Sequence, residues 1–145
     1  MASDPLNATT CRELVEYFES CRLTAYLCPA GVPTIGWGST GWDVAIGMVW
    51  TQAQCDSRRD LDIAKARLFV LHNSKNLTGI KLEAIEDFCY NVGYGAYRAS
   101  TLRQRINNVD WADVPTQLRR WVRGGGRVLR GLVRRREAEV VMWLI

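Results

Sequence analysis

Apolar residues along this chain follow helical spacing for most of its length and break into short runs between turn formers in one place. Thr10 and Glu13 form a T-x-x-E capping box, and Leu14, Phe18 and Cys21 recur behind it, which predicts an amphipathic helix from 11 to about 21. Residues 23–38 differ. Cys28-Pro29-Ala30-Gly31-Val32-Pro33 separates short apolar runs, which predicts a small antiparallel sheet with a proline-rich turn. Gly36 and Gly38 alternate there with Ile35 and Trp37, so one sheet face would be left open for a bulky polymer.

Thr51 can cap a long helix running to about Asn73, with Leu61, Ala64, Leu68 and Leu71 along its apolar stripe. Thr78 can cap the next, which places Ile80, Ala84, Ile85, Phe88 and Val92 on one face and ends at Gly93-Tyr94-Gly95. Short helices are expected from Ser100 to Asn107 and from Asp110 to Trp121. The run Gly124-Gly125-Gly126 reads as a flexible break. A last helix aligns Leu129, Val133, Arg136, Val140 and Leu144. The expected fold class is α+β and mainly helical, one domain over 1–145. A small sheet lobe (about 11–50) would be joined by a strut helix (about 51–74) to a helical lobe (about 75–145).

Glu19, Cys28 and Thr34 stand as E-x8-C-x5-T. A helix ending near Glu19 and followed by a hairpin would gather an acid, a proton-exchanging thiol and a hydroxyl around one cleft. That set can cleave a glycosidic bond, with the acid protonating the leaving oxygen and the other two handling a water. Near the end of a helix, Glu19 opposes the helix dipole, which favours its protonated form. Cys28 could act as base or as nucleophile, and the residues leave both open. Thr34 cannot be a base at neutral pH but can orient water.

The spacing, followed by T-I-G-x-G at Thr34–Gly38, resembles the phage-type lysozymes (glycoside hydrolase family 24, endolysins). GSTGWDVAIG at 38–47 is similar to the family's GHTGxDVxxG. FCYNVGYGAYRASTLR at 88–103 is similar to F-x-F-N-x-G followed by S-T-L-x-R. Residues 121–139 hold W-x-x-G-G and then G-L-x-x-R-R-x-x-E. The resemblance implies a lysozyme-like fold and an endolysin that hydrolyses the β-1,4 bond between N-acetylmuramic acid and N-acetylglucosamine in peptidoglycan. A lytic transglycosylase is the near alternative. It further implies Glu19 as general acid, Cys28 and Thr34 as the pair that activates and positions water, and Thr40, Tyr90, Thr101 and Gln117 as substrate contacts. Arg135 and Arg136 match the family's Arg pair and are candidates to position the acid. Arg136 falls on an apolar stripe and so needs a buried partner, Glu139 or Glu19. Ser39 stands where the family has His, so whatever bond that His makes is lost or replaced.

The net charge is +4, and eight arginines fall between Arg119 and Arg136. A basic surface suits an anionic partner, such as an outer membrane or its lipopolysaccharide, and a cationic module acting without catalysis is the alternative from another class. No nucleic-acid reader motif accompanies the charge, so no specific nucleic-acid binding is expected. The five cysteines are odd in number, show no C-x-x-C spacing and accompany a single histidine, His72, expected as a cap or surface residue. No metal site, no cofactor and no essential disulfide are expected. Cys21 and Cys89 read as small apolar residues on helix faces. No apolar stretch approaches the ~18 residues that suggest a membrane span. Met1-Ala2-Ser3-Asp4-Pro5 lacks a signal-peptide core. The resemblance then implies synthesis in the host cytoplasm as a monomer, with a holin letting the enzyme reach the wall.

Overall fold

The computed structural model describes residues 4–145, and Met1–Ser3 lie outside it. A 3-10 turn at Pro5–Asn7 leads into α1 (Cys11–Phe18). The Thr10 hydroxyl accepts from the Glu13 N–H at 3.2 Å, and Glu13 Oε1 accepts from that hydroxyl at 3.0 Å. α1 ends three residues earlier than expected. Glu19 is its C-cap in extended conformation, with its N–H still bonded to Val15 O at 2.9 Å. Cys21 therefore lies in the connection to the sheet and not on a helix face, because Arg22 already opens the first strand.

β1 (Arg22–Leu27) pairs antiparallel with β2 (Pro33–Gly36), matching Arg22 with Gly36 and Tyr26 with Thr34. Residues 48–50 extend the sheet beside β1: Ala25 N–H reaches Met48 O at 2.9 Å and Trp50 N–H reaches Leu23 O at 2.8 Å. Gly36 and Gly38 do not simply thin a sheet face. Both adopt positive φ, 65° and 84°, in a reversal closed by mutual Ile35–Ser39 backbone bonds of 3.0 and 2.8 Å.

α2 (Gln52–Asn73) carries the full capping box between Thr51 and Gln54. Its buried line is Cys55, Arg59, Ala66 and Val70, whereas Leu61 and Leu68 of the expected stripe are 49% and 69% exposed. An arginine inside the buried line hides the true face from a count of apolar spacing. α3 (Gly79–Val92) is the central helix. Leu82 and Ala84–Cys89 are buried all round it, the expected Ile80–Val92 face included or nearly so. Thr78 precedes it without a side-chain capping bond. Gly93, at φ 99°, turns the chain directly into α4 (Tyr94–Ala99) where only a stop was expected.

α5 (Thr101–Asn107) is capped by Ser100, and a 3-10 turn at Trp111–Asp113 precedes α6 (Val114–Arg119). The triple glycine is not a flexible break. β3 (Arg123–Gly124) and β4 (Arg127–Val128) form a hairpin whose two turn residues, Gly125 and Gly126, have φ of 59° and 81°. A two-residue hairpin turn of this kind needs positive φ twice, which glycine supplies without strain. α7 (Arg130–Trp143) closes the chain. Arg136 and Val140 of its expected stripe are buried, but Val133 is not, and Leu129 and Leu144 lie outside the helix.

The main core joins Val70, Ile85, Phe88, Tyr97, Leu102, Leu118, Val140 and Trp143 across α2 to α7. A second cluster of Leu14, Ala84, Ala138 and Met142 binds α1 to α3 and α7. Although α1 precedes the sheet in sequence, it is anchored in the helices. Glu19 is thus presented from the helical side, against Gly38 just past β2, the strand that carries Thr34. Among the described residues no helix is long and apolar enough to cross a membrane.

Candidate functional site

Glu19 leaves the end of α1 with one carboxylate oxygen held and the other free. Arg135 Nη1 donates to Oε1 at 2.8 Å. Oε2 faces Gly38, where a Cβ would stand 3.1 Å away, so glycine keeps that side of the acid open. Arg135 itself is buried. Its Nε and Nη2 clasp Asp87 at 2.9 and 2.7 Å, a two-point guanidinium–carboxylate pair. Arg136, fully buried, does not touch Glu19. Its Nε lies 2.7 Å from Glu139 Oε1, and its Nη2 donates to Asn91 Oδ1 at 2.7 Å and Glu139 Oε2 at 3.0 Å. Of the two arginines expected near the acid, Arg135 holds it and Arg136 anchors α7 behind it.

Glu19, Asp87 and Glu139 thus share two guanidiniums, leaving one carboxyl more than the cations can balance. Glu139 is wholly shut off from solvent. Burial pushes its carboxyl well up, Arg136 opposes, and the neighbouring Asp87 carboxylate adds to the rise. Burial also pushes Asp87 upward, but the Arg135 guanidinium outweighs it and holds Asp87 below the usual carboxylate range. Asp87 was not foreseen. Its sequence signal was a pair of acids, Glu86-Asp87, set inside an otherwise apolar helical run.

Cys28 follows β1 directly and is only half-buried. The backbone N–H of Val32 lowers its thiol below the ordinary value. Burial, the next largest influence, opposes this, and Ala30 N–H supports it. Thr34 is buried, and its Oγ1 donates to Val32 O at 2.9 Å, so its lone pairs remain to accept. Tyr26 lies within the field of both groups. Burial raises its phenol first, the Glu19 charge next and Cys28 further, against Arg22. The other thiols differ: burial raises Cys11, Cys55 and Cys89, the last two to about 11 and about 12. Iodoacetamide at neutral pH should therefore alkylate Cys28 before those three, as read by peptide mass spectrometry. Equal labelling of Cys28 and Cys89 in the folded protein would contradict this environment.

A cleft of about 540 Å³ opens beside the acid at Gly38 and runs between the 38–43 loop, α2 and the end of α3. Thr40 and Tyr90 line it, whereas Thr101 and Gln117 do not; Glu19, Cys28 and Thr34 also lie outside its lining, Glu19 meeting it only through Gly38. Tyr90 commits its hydroxyl to Trp37 O at 2.6 Å, so it offers the cleft its ring. Thr101 opens α5, and Gln117 is buried on α6 with Nε2 donating to Asp113 Oδ2 at 2.9 Å. Ser39, which replaces the family's His, donates to Asp62 Oδ2 at 2.7 Å. Arg58 takes Asp62 and Asp43 at 3.0 and 2.7 Å and donates to Thr40 O at 2.7 Å, fastening the loop to α2. Among the described residues no cluster of three His, Cys, Asp or Glu side chains could hold a metal ion.

Residues 16–139 match the phage lysozyme family model. The chain is 37% identical over 128 residues to the SAR-endolysin of Bacteriophage PS34, covering 86% of this chain and 77% of that protein. Among solved structures, the endolysin from the Escherichia coli O157:H7 phage FAHEc1 superposes with a TM-score of 0.77 at 28% identity, over 99% of this chain and 93% of that one. The active form of the P1 phage endolysin Lyz superposes with a TM-score of 0.81 at 27% identity, over 95% of this chain and 86% of that one.

Proposed function

This chain belongs to the phage lysozyme family and is a peptidoglycan-lysing lysozyme, and we propose that it hydrolyses the β-1,4 bond between N-acetylmuramic acid and N-acetylglucosamine with Glu19 as general acid. The observation that carries this is the divided state of the Glu19 carboxyl: Oε1 is held by Arg135, and Oε2 is turned to the opening that Gly38 leaves. A proton on Oε2 is positioned to pass to the glycosidic oxygen as the bond breaks, which removes the need to expel an alkoxide.

Water completes the reaction from the opposite side. The Thr34 hydroxyl, its own proton given to Val32 O, accepts one hydrogen of that water. Cys28, favoured as thiolate by the Val32 N–H, takes the other as the water oxygen attacks the anomeric carbon. Protons balance: one leaves Glu19 for the departing sugar and one arrives at Cys28 from water. This route inverts the anomeric configuration. Direct attack by the thiolate would retain it.

Digestion of purified peptidoglycan, followed by mass spectrometry and NMR of the fresh products, tests the proposal. Reducing N-acetylmuramic ends formed with inversion are expected. Anhydro ends, lighter by one water, would replace hydrolysis by transglycosylation, and insoluble, uncut wall would overturn the reading altogether.

The remaining partners follow from the same reading. The enzyme acts as a monomer, takes peptidoglycan as substrate, needs no cofactor, and reaches the wall when a holin opens the membrane. Arg120, Arg123, Arg127 and Arg130 are exposed and form no ion pair among the described residues, and Arg123 and Arg127 sit on the β3–β4 hairpin. That basic end favours contact with an anionic outer surface, which rising salt would weaken.

A further inference from the structure

The gap in which Oε2 of Glu19 lies is bounded by backbone. A Cβ on Gly38 would stand 3.1 Å from that oxygen, so the width of the gap depends on where the Gly38 backbone is held. Gly36 and Gly38 take φ of 65° and 84°, which glycine adopts without strain but to which it is not confined. Between them stands Trp37, and it is fastened twice. Its carbonyl accepts from the Tyr90 hydroxyl of α3 at 2.6 Å. Its indole Nε1 donates to Asp56 Oδ1 of α2 at 2.8 Å.

The indole's acceptor is itself fixed. Asp56 Oδ1 also accepts from Gln52 Nε2 at 2.8 Å, one turn earlier on α2, and Arg59 Nη1 lies 3.6 Å away. The same guanidinium stands over the Trp37 ring, 5.5 Å from its centroid. The Trp37 indole first, and Gln52 next, hold the Asp56 carboxyl below the usual carboxylate range, so the acceptor is ionised at neutral pH. Neither tie is part of the segments that match the family. Trp37 fills the variable position of T-I-G-x-G, and Tyr90 stands where F-x-F-N-x-G has a phenylalanine without a hydroxyl.

We propose that Trp37 is a positioning residue for the general acid: by tying the reversal to α2 and α3 it sets the gap between Gly38 and Glu19 and so aims the carboxyl. The proposal rests on the reading of Glu19 as the acid. Arg135 holds one oxygen only. A carboxyl held at one oxygen can still turn about its Cγ–Cδ bond, a torsion with broad preferences. The Gly38 backbone bounds that turn on the other side, so a proton on Oε2 keeps its direction. Trp37 acts through Gly38, and the indole–Asp56 bond is the part of its anchorage that a single substitution can remove.

Kinetics on soluble peptidoglycan fragments separate this role from a purely structural one. Asp56→Ala and Trp37→Phe should each lower kcat about tenfold and leave KM within about twofold, because a misaimed acid is felt in the transition state and not in binding. The double variant should lose no more than either single one, because both substitutions remove the same bond. Asp56→Asn should keep kcat within about threefold of wild type, since its amide oxygen still accepts from the indole although the charge is gone. Asp56 is 41% exposed and Phe preserves the ring at 37, so the variants fold, which circular dichroism at the assay temperature checks. In nitrogen–proton NMR spectra the Gly38 amide should shift in Asp56→Ala and stay in place in Asp56→Asn. A kcat within about twofold of wild type in Asp56→Ala would overturn the proposal. So would equal losses in Asp56→Asn and Asp56→Ala, additive losses in the double variant, or an unmoved Gly38 amide. A wild-type rate in Glu19→Gln would instead remove the acid itself, a failure that leaves the Gly38 shift unchanged and is told apart by it.

Discussion

Glu19→Gln lowers the rate of peptidoglycan solubilisation by about 10²–10⁴-fold, the contribution of a positioned general acid, and leaves the fold intact. The amide matches the carboxyl in shape, so its oxygen can still accept from Arg135 Nη1, as Oε1 does at 2.8 Å. The NH2 then occupies the place of Oε2 near Gly38, and it has no acidic proton to give. Stability changes little, because Asp87 still pairs with Arg135 on its buried side. Turbidity loss of a wall suspension gives the rate, and circular dichroism with a melting curve gives the fold. A folded variant with wild-type activity would remove Glu19 from the mechanism and with it the proposed reaction.

Asp87→Ala should be the most damaging single change outside the cleft. It strips both charge-assisted bonds from the inner side of a guanidinium that is 3% exposed, leaving Arg135 with only the half-exposed Glu19 partner. Removing one member of a buried ion pair costs about 3–5 kcal/mol, because the surviving charge stays out of water. At about 2–4 °C per kcal/mol for a domain near this size, Tm should fall by roughly 6–20 °C. Activity should fall as well, because Arg135 loses the clasp that aims it at Glu19. Calorimetry at neutral pH measures the first effect and wall clearing the second. A Tm within 2 °C of wild type would mean the Arg135–Asp87 pair is not the keystone that its geometry describes.

Both predictions turn on a network whose ends were legible in sequence and whose middle was not. Glu19, Cys28 and Thr34 stand out as candidates by spacing, at a helix end and in the hairpin that follows it. Arg135 was visible as one of a pair, but nothing local says which of two adjacent arginines faces the acid. Successive residues on a helix point about 100° apart, and only the packing of α7 on α3 assigns Arg135 to Glu19 and Asp87, and Arg136 to Glu139 and Asn91. Thr101 and Gln117 were named by order within matching segments, and they lie outside the lining of the cleft because α5 and α6 turn those side chains elsewhere.

By itself the sequence determined the N-cap at Thr10, the capping box at Thr51, the hairpin after Glu19 and the helical succession behind it. These rest on interactions within a few residues, where identity and spacing settle the outcome. Tertiary structure alone decided the buried face of α2, the hairpin at Gly125-Gly126, the raised carboxyl of Glu139 and the exposed indole of Trp42. Each depends on what distant segments bring near: burial, an opposing charge or the lack of any neighbour, none of which local order along a chain can encode.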